Sequence, residues 1–133
     1  MFNPPDSVVN RFTRGGCHLF AFDLSLRLDG FHWLAVLPGY GCHAVVLSPC
    51  KTYAYDINGI DLTSNVELEW KEPGRNNDLE IFTNDVPGRD QFLSRTCMFL
   101  EDINLDMDDE VHYWSSALAS KVIELDKWRE VTV

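Results

Sequence analysis

The sequence of 133 residues lacks long hydrophobic runs and has few basic side chains, and each absence excludes a class of protein. No apolar run reaches the roughly 18 residues that a membrane-spanning helix needs, so we expect no membrane association. Residues 1–5 carry no basic segment followed by an apolar one, so we predict no secretory signal. The net charge is −10. Because phosphate backbones repel an acidic chain, we expect no direct nucleic-acid binding.

The sequence also lacks the short motifs that mark common cofactor and catalytic sites. It contains no Gly-rich phosphate loop, no G-x-S-x-G and no H-E-x-x-H. No C-x-x-C pair occurs among its four cysteines, Cys17, Cys42, Cys50 and Cys97. Without an export signal, this predicts reduced thiols in a cytoplasmic protein that needs no cofactor and no metal. A zinc site is the open alternative. Its ligands would be Cys17, Cys42, His43 and Cys50.

Large apolar side chains are abundant enough to fill a core. Hydrophobic residues make up 45% of the chain and include eight Phe, four Trp and four Tyr, which excludes disorder as the main state. The length predicts a single domain over residues 1–133. The acidic excess lies in residues 67–110, which contain thirteen acidic and four basic side chains. Such a segment is usually a solvated face, but it also suits a basic partner protein.

Hydrophobic periodicity predicts helices at both ends of the chain. A short helix is expected over residues 6–12, and a mostly buried helix over residues 17–28, where partial alternation leaves a strand as an alternative. A last helix is expected to begin at Asp106 or Asp108 and to end near Asp126. Its apolar stripe would contain Val111, Trp114, Leu118, Val122 and Leu125.

Between these helices, short turns separate runs of strand-forming residues. The three clearest strands are residues 31–37, 42–47 and 52–57. Because their connections are short, they predict an antiparallel meander. Weaker strand candidates are residues 66–70, 79–82 and 128–133, and residues 92–100 fit a helix or a strand. The sequence therefore predicts an α+β fold, with the helix that begins at Cys17 packed on a sheet of about four to six strands.

Cys17 lies where a sulfur nucleophile would be activated. It follows Gly15 and Gly16, which permit a sharp turn, and it begins the second predicted helix. A helix N-terminus favours the thiolate over the thiol, and its N–H groups suit the oxyanion of an attacked carbonyl. Further candidates for the oxyanion site or the cleft are Asn10, Gly16 and His18. Side chains of neighbouring helical residues point about 100° apart, so we expect His18 to line the cleft rather than to act as the base.

His43 and Asp56 are the candidates for the base and for the acid that orients it. His43 lies near the start of the second predicted strand and Asp56 at the end of the third. Adjacent antiparallel strands can place the two side by side, where the carboxylate would fix the imidazole tautomer and stabilise the imidazolium. Each residue alone also fits a structural role. Together with Cys17, they predict acyl transfer through a thioester.

Three short runs carry a family resemblance: GCHLFA at residues 16–21, CHAVV at 42–46 and YAYDING at 53–59. They resemble the core of papain-like cysteine enzymes of the transglutaminase-like, circularly permuted or minimal type. The resemblance covers about residues 14–60 and implies a compact fold with the nucleophile helix on an antiparallel sheet. By resemblance, Cys17 is the nucleophile, His43 the base and Asp56 the orienting acid.

The expected function is therefore a small cysteine-dependent hydrolase or acyltransferase. Its substrate would be an amide or isopeptide bond of a peptide or protein, as for a protease, a deamidase or a transglutaminase-like enzyme. The alternative is a non-enzymatic acidic interaction protein, such as a virus- or plasmid-encoded inhibitor of a host defence protein. That protein would use residues 67–110 to occupy a basic site.

Overall fold

The structure is a computed structural model that describes residues 2–13, 17–28, 32–37, 43–70, 80–82 and 108–132. Within these ranges the helices are α1 (Asp6–Thr13), α2 (Cys17–Arg27), α3 (Thr63–Trp70) and α4 (Asp108–Thr132). The strands are β1 (Trp33–Leu37), β2 (His43–Leu47), β3 (Tyr53–Asp56), β4 (Gly59–Leu62) and β5 (Glu80–Phe82). The combination of helices with an antiparallel sheet confirms the α+β class.

The five described strands form one antiparallel sheet in the order β4-β3-β2-β1-β5. Strands β1 to β3 follow one another as the predicted meander. The unpredicted strand β4 extends it, and β5 pairs with the outer side of β1. Because β2 and β3 are antiparallel, His43 at the start of β2 and Asp56 at the end of β3 lie at the same end of the sheet. The topology therefore brings together two residues that are 13 positions apart in the chain.

Helix α2 lies on one face of the sheet and is itself covered by α1 and α4. The sheet residues beneath it alternate with those on the other face, as the pleat requires. The main core includes Leu34, Val36, Ala44, Val46 and Tyr55 from the sheet. On the opposite face, a smaller cluster joins Ala35, Val45, Leu47 and Ala54 to Val66 of α3. Alternating apolar side chains thus explain how a helix packs on each side of the sheet.

The buried stripe of α2 begins at Cys17. Residues Cys17 to Ala21 are all buried, and the stripe continues one and two turns later at Leu24 and, just past the helix, at Leu28. Leu26 points away from this stripe and is 69% exposed. The first turn of α2 is therefore buried on every side, and the Cys17 side chain belongs to the main core cluster.

A cluster of polar side chains joins the C-terminal end of α2 to α4. Arg27 Nε donates to Asp23 Oδ2 at 2.8 Å and to Ser115 Oγ at 3.0 Å. The Ser115 hydroxyl also donates to Asp23 Oδ2, and Asp23 Oδ1 lies 2.9 Å from His112 Nδ1. Burial alone would raise the pKa of Asp23, but the bonds from Ser115 and Arg27 lower it below its usual value. The carboxylate of Asp23 is therefore the shared partner of the polar side chains in this cluster.

The prediction of a strand over residues 66–70 is wrong, because these residues lie in α3. The segment VELEW alternates apolar and acidic residues for only five positions, which is too short to exclude a helix. The sequence prediction ended the third strand at residue 57, before Asn58-Gly59, and included no strand over β4. The structure has a hairpin there: Asp56 pairs with Gly59, whose φ of 109° suits glycine alone.

The prediction of a final strand over residues 128–133 is also wrong, because α4 continues through Thr132. No Gly or Pro separates Asp126 from the C-terminus, so nothing in the sequence ends the helix at the predicted place. The predicted stripe is confirmed at Val111, Leu118 and Val122, which are buried. Residues 92–100 and Asp106 lie outside the described residues. None of the described helices is both long and apolar enough to cross a membrane.

Candidate active site

The imidazole of His43 and the carboxylate of Asp56 form a short hydrogen bond. His43 Nε2 lies 2.8 Å from Asp56 Oδ2, and both side chains are buried. The second carboxylate oxygen, Oδ1, accepts the backbone N–H of Asn58 at 2.8 Å. The β3–β4 hairpin thus orients Asp56, and Asp56 in turn orients His43. The Asn58-Gly59 pair, which follows the third predicted strand, is part of this support.

Cys17 lies against two imidazoles. Its Sγ is 3.3 Å from His18 Nδ1 and is also hydrogen-bonded to His43. The imidazole of His43 therefore interacts with both Asp56, through Nε2, and Cys17. The three side chains are enclosed, since Cys17 is only 3% exposed, His43 is fully buried and Asp56 is buried.

The electrostatics of the site favour a thiolate beside an imidazolium. Burial alone would raise the pKa of Cys17, but hydrogen bonds and charge from His18 and His43 lower it from 9.0 to about 6. Burial alone would lower the pKa of His43, but its bonds with Asp56 and Cys17 raise it from 6.5 to about 9. Between these values the sulfur is negative and His43 is positive, and the two titrations belong to a coupled pair.

The position of His18 differs from the prediction. We expected it to point away from Cys17 and line the cleft, but its imidazole contacts the sulfur and is 0% exposed. The backbone directions of neighbouring residues do diverge, yet rotation about the side-chain bonds of His18 brings Nδ1, the ring nitrogen nearer the backbone, to the sulfur. The sequence signal was the Cys-His pair at the start of a buried helix.

The other two cleft candidates are not placed at the sulfur. Asn10 lies on α1 with its side chain exposed, whereas the side chains of Cys17 and His43 are buried. An exposed amide does not suit a donor inside an enclosed site, so the structure does not favour Asn10 for the oxyanion. Gly16 lies outside the described residues. The N-terminus of α2 has no acidic side chain in its first turn, so no carboxylate of that turn competes for its N–H groups.

Among the described residues of the alternative zinc site, Cys50 lies apart from Cys17 and His43. Cys50 is exposed in the turn between β2 and β3, at the end of β2 opposite His43. Cys17 and Cys50 are free thiols, and Cys42 lies outside the described residues. Among the side chains that the structure describes, no group of three His, Cys, Asp or Glu is placed to hold a metal ion.

The structure brings Cys17, His43 and Asp56 together at one place. Each of the three is supplied by a different element, α2, β2 and β3, so their meeting depends on the tertiary fold. Comparison with known proteins adds nothing to the site geometry. No family model, no curated protein and no solved structure matches this chain.

Proposed function

We propose that the chain is a small cysteine-dependent hydrolase or acyltransferase with a compact papain-like core. Its substrate is an amide or isopeptide bond of a peptide or protein. The observation that carries this proposal is the 2.8 Å bond between His43 Nε2 and Asp56 Oδ2, on an imidazole that also contacts Cys17. A nucleophile, a base and a group that orients the base are the parts that acyl transfer needs.

The reaction begins with the Cys17 thiolate, which attacks the carbonyl carbon and forms a C–S bond. The π electrons of the carbonyl move to oxygen, and the N-terminus of α2 offers its N–H groups to this oxyanion. When the carbonyl re-forms, the C–N bond breaks and the leaving amine takes the proton of His43. A thioester on Cys17 and a neutral imidazole remain. Asp56 stabilises the imidazolium before this transfer.

The second half of the reaction releases the acyl group. Neutral His43 takes a proton from water or from an acceptor amine, which attacks the thioester carbonyl. The C–S bond breaks, the thiolate is restored and His43 is again the imidazolium. With water the result is hydrolysis of a backbone amide, or deamidation of a side-chain amide. With an amine the result is transamidation. The same three side chains serve all of these outcomes.

The experiment that tests this proposal uses an activated acyl donor, p-nitrophenyl acetate. We expect nitrophenolate release with an acetyl group on Cys17, located by peptide mass spectrometry. Cys17→Ala should abolish this acetylation, whereas Cys50→Ala, which removes the exposed thiol at the other end of β2, should leave it. Acetylation confined to Cys50, or undiminished in Cys17→Ala, contradicts the proposal.

The pH dependence of acetylation gives a second readout. Below about 6 the Cys17 thiolate is protonated, and above about 9 the imidazolium of His43 is lost. We therefore expect the rate to rise through pH 6, to stay high, and to fall through pH 9. A single rise with the midpoint of an ordinary thiol, near 9.0, would mean that no imidazole assists the sulfur.

A second candidate is the acidic interaction protein that binds a basic partner. The observation that favours it is the exposed surface of α3, where Leu68 is 72% exposed between the exposed carboxylates of Glu67 and Glu69. Most of residues 67–110 lie outside the described residues. Retention of a cellular effect by Cys17→Ala would favour this candidate. For either function we propose the cytoplasm, because free thiols at Cys17 and Cys50 suit a reducing compartment.

A further inference from the structure

The sulfur of Cys17 has a second imidazole that the three-residue mechanism does not use. His18 Nδ1 lies 3.3 Å from Sγ, and His18 is completely buried. His18 directly follows Cys17 in the first turn of α2. This position differs from that of His43, which comes from β2 and is held by Asp56 on β3.

The charges around the sulfur explain why a second donor is needed. In the reactive state two anions, the Cys17 thiolate and the Asp56 carboxylate, face the single imidazolium of His43. All three groups are buried, and a buried charge is costly unless it is paired and hydrogen-bonded. The N–H group at His43 Nε2 donates its hydrogen bond to Asp56. At most one N–H group of this ring is therefore left for the sulfur. A donor from His18 therefore stabilises the remaining charge.

We propose that His18 is a positioning residue that holds the Cys17 thiolate through an Nδ1–H···Sγ hydrogen bond, while His43 alone carries protons. The inference rests on the proposed function, since it takes Cys17 as the nucleophile. In this arrangement His18 donates without giving up its proton, and the sulfur stays negative before a substrate arrives. Asp56 stabilises the imidazolium of His43, which makes His43 the ring that gains and loses the proton during turnover.

Two variants of His18 separate its hydrogen bond from its volume. His18→Phe keeps a ring in the buried position but removes the donor. His18→Asn places an amide nitrogen near the position of Nδ1 and keeps a neutral donor. Both are made in a background in which Cys42, Cys50 and Cys97 are replaced by Ser, so that Cys17 is the remaining thiol. The measurement is the rate of iodoacetamide alkylation of Cys17 as a function of pH, which needs no substrate.

We expect His18→Phe to move the lower inflection of alkylation from about 6 upward by one unit or more. One unit corresponds to a roughly tenfold lower rate on the acid side of the inflection. The lower inflection of His18→Asn should lie between those of the wild type and His18→Phe. In both variants the upper inflection near 9, which reports His43, should remain. His43→Phe should instead remove the upper inflection and keep part of the thiolate at neutral pH.

An unchanged lower inflection in a folded His18→Phe variant overturns the proposal, because the ring then serves only packing. If His18→Phe does not fold, His18→Asn decides: an inflection at the ordinary thiol value overturns the proposal, and an intermediate one supports it. A different result would reject the proposed function without rejecting the role of His18. A shifted inflection without any acetylation of Cys17 by p-nitrophenyl acetate upholds the bond from His18 and rejects the enzyme.

Discussion

The two free thiols of the described chain lie at opposite ends of β2 and differ in their surroundings. Cys17 is buried between His18 and His43, and its pKa is lowered to about 6. Cys50 is exposed in the β2–β3 turn, and hydrogen bonding with Thr52 lowers its pKa to about 7. The pKa of Cys17 is lowered by imidazoles that the fold brings together. The pKa of Cys50 is lowered mainly by the hydroxyl of Thr52, two residues away in the chain.

The comparison shows that a lowered thiol pKa does not by itself mark a catalytic cysteine. The pKa values of Cys17 and Cys50 are both lowered, so each thiol is expected to have a substantial thiolate fraction near neutral pH. The difference in exposure favours reaction at Cys50, because Cys50 is exposed to reagents and Cys17 is buried. The decisive difference is the proton carrier. His43 can accept and return a proton near neutral pH, whereas the hydroxyls of Ser48 and Thr52 beside Cys50 cannot.

The largest expected effect comes from removing the charge that orients His43. Asp56→Asn keeps the shape of the side chain but no longer stabilises the imidazolium or fixes the tautomer. We expect acetylation of Cys17 by p-nitrophenyl acetate to fall about hundredfold to ten-thousandfold. The pKa of His43 should drop from about 9, so the alkaline fall in the rate moves to lower pH. Stopped-flow release of nitrophenolate over a pH series measures both changes.

The matched control for this substitution is Asp61→Asn on the neighbouring strand β4. Asp61 is exposed, and its Oδ1 accepts bonds from Asn65 and from the N–H of Leu62. We expect its rate and pH profile to match the wild type. Equal losses in Asp56→Asn and Asp61→Asn would mean that a general change in charge, and not the bond to His43, controls the sulfur.

The second largest effect concerns the helix that carries Cys17. Leu24 lies fully buried on the core stripe of α2, two turns after Cys17. Leu24→Ala should lower the free energy of unfolding by about 2–5 kcal/mol, because it removes buried methyl groups and leaves a cavity. Leu26→Ala, on the exposed side of the same helix, should change it by less than about 0.5 kcal/mol. Denaturant unfolding followed by circular dichroism compares the two variants.

The two thiols should respond differently to this loss of stability. Partial unfolding of Leu24→Ala separates Cys17 from His43, so the pKa of Cys17 should return toward 9.0 at a denaturant concentration that leaves the wild type folded. The pKa of Cys50 depends on bonds with Ser48 and Thr52, which are near it in the chain. If both thiols titrate alike in every variant, the lowered pKa of Cys17 does not depend on packing.

A smaller effect is expected at the turn. Thr52→Val replaces the hydroxyl beside Cys50 with a methyl group of similar size, so the pKa of Cys50 should rise from about 7 toward 9.0. In a Cys17→Ser background, iodoacetamide labelling of Cys50 at pH 7 should fall roughly tenfold. Ser64→Ala removes an exposed hydroxyl from α3 and should have no effect. Unchanged labelling in Thr52→Val would show that other groups hold the thiolate.

Sequence reasoning predicted the parts of the fold that have strong local signals. The meander was predictable because Ser48-Pro49 and other turn residues interrupt runs of β-forming residues. The start of α2 at Cys17 was predictable because two glycines precede it. The common end of β2 and β3 followed from their antiparallel order, so the closeness of His43 and Asp56 was predictable. These features depend on residues close together in the chain, where pattern and propensity act directly.

The features that the sequence reading missed depend on tertiary context or on signals with two meanings. Asn58-Gly59 can end a strand or turn a hairpin, and the choice for a hairpin is fixed by pairing of β4 with β3. The contact of His18 with the sulfur required a side-chain rotamer, which the sequence does not specify. Only the packing of α2 on the sheet shows that both side chains of the Cys-His pair are buried.

The smallest expected effect tests whether the far end of α2 influences the sulfur at its N-terminus. Ser115→Ala removes the hydrogen bond to Asp23 and the one from Arg27 Nε, but leaves the contacts of Asp23 with Arg27 and His112. Loss of these two bonds should lower the free energy of unfolding by about 1–2 kcal/mol. Ser116→Ala, at the exposed neighbouring position on α4, should leave it unchanged. Thermal unfolding of the two variants gives the difference.

Neither serine variant should alter the alkylation profile of Cys17 or Cys50. The cluster around Asp23 fastens α2 to α4 at the end of the helix away from Cys17, whereas the pKa of Cys17 is lowered by His18 and His43 at its start. Stability and thiol reactivity should therefore separate in Ser115→Ala and change together in Leu24→Ala. A shift in the Cys17 inflection with Ser115→Ala would show that the site depends on the whole length of α2, and not only on its first turn.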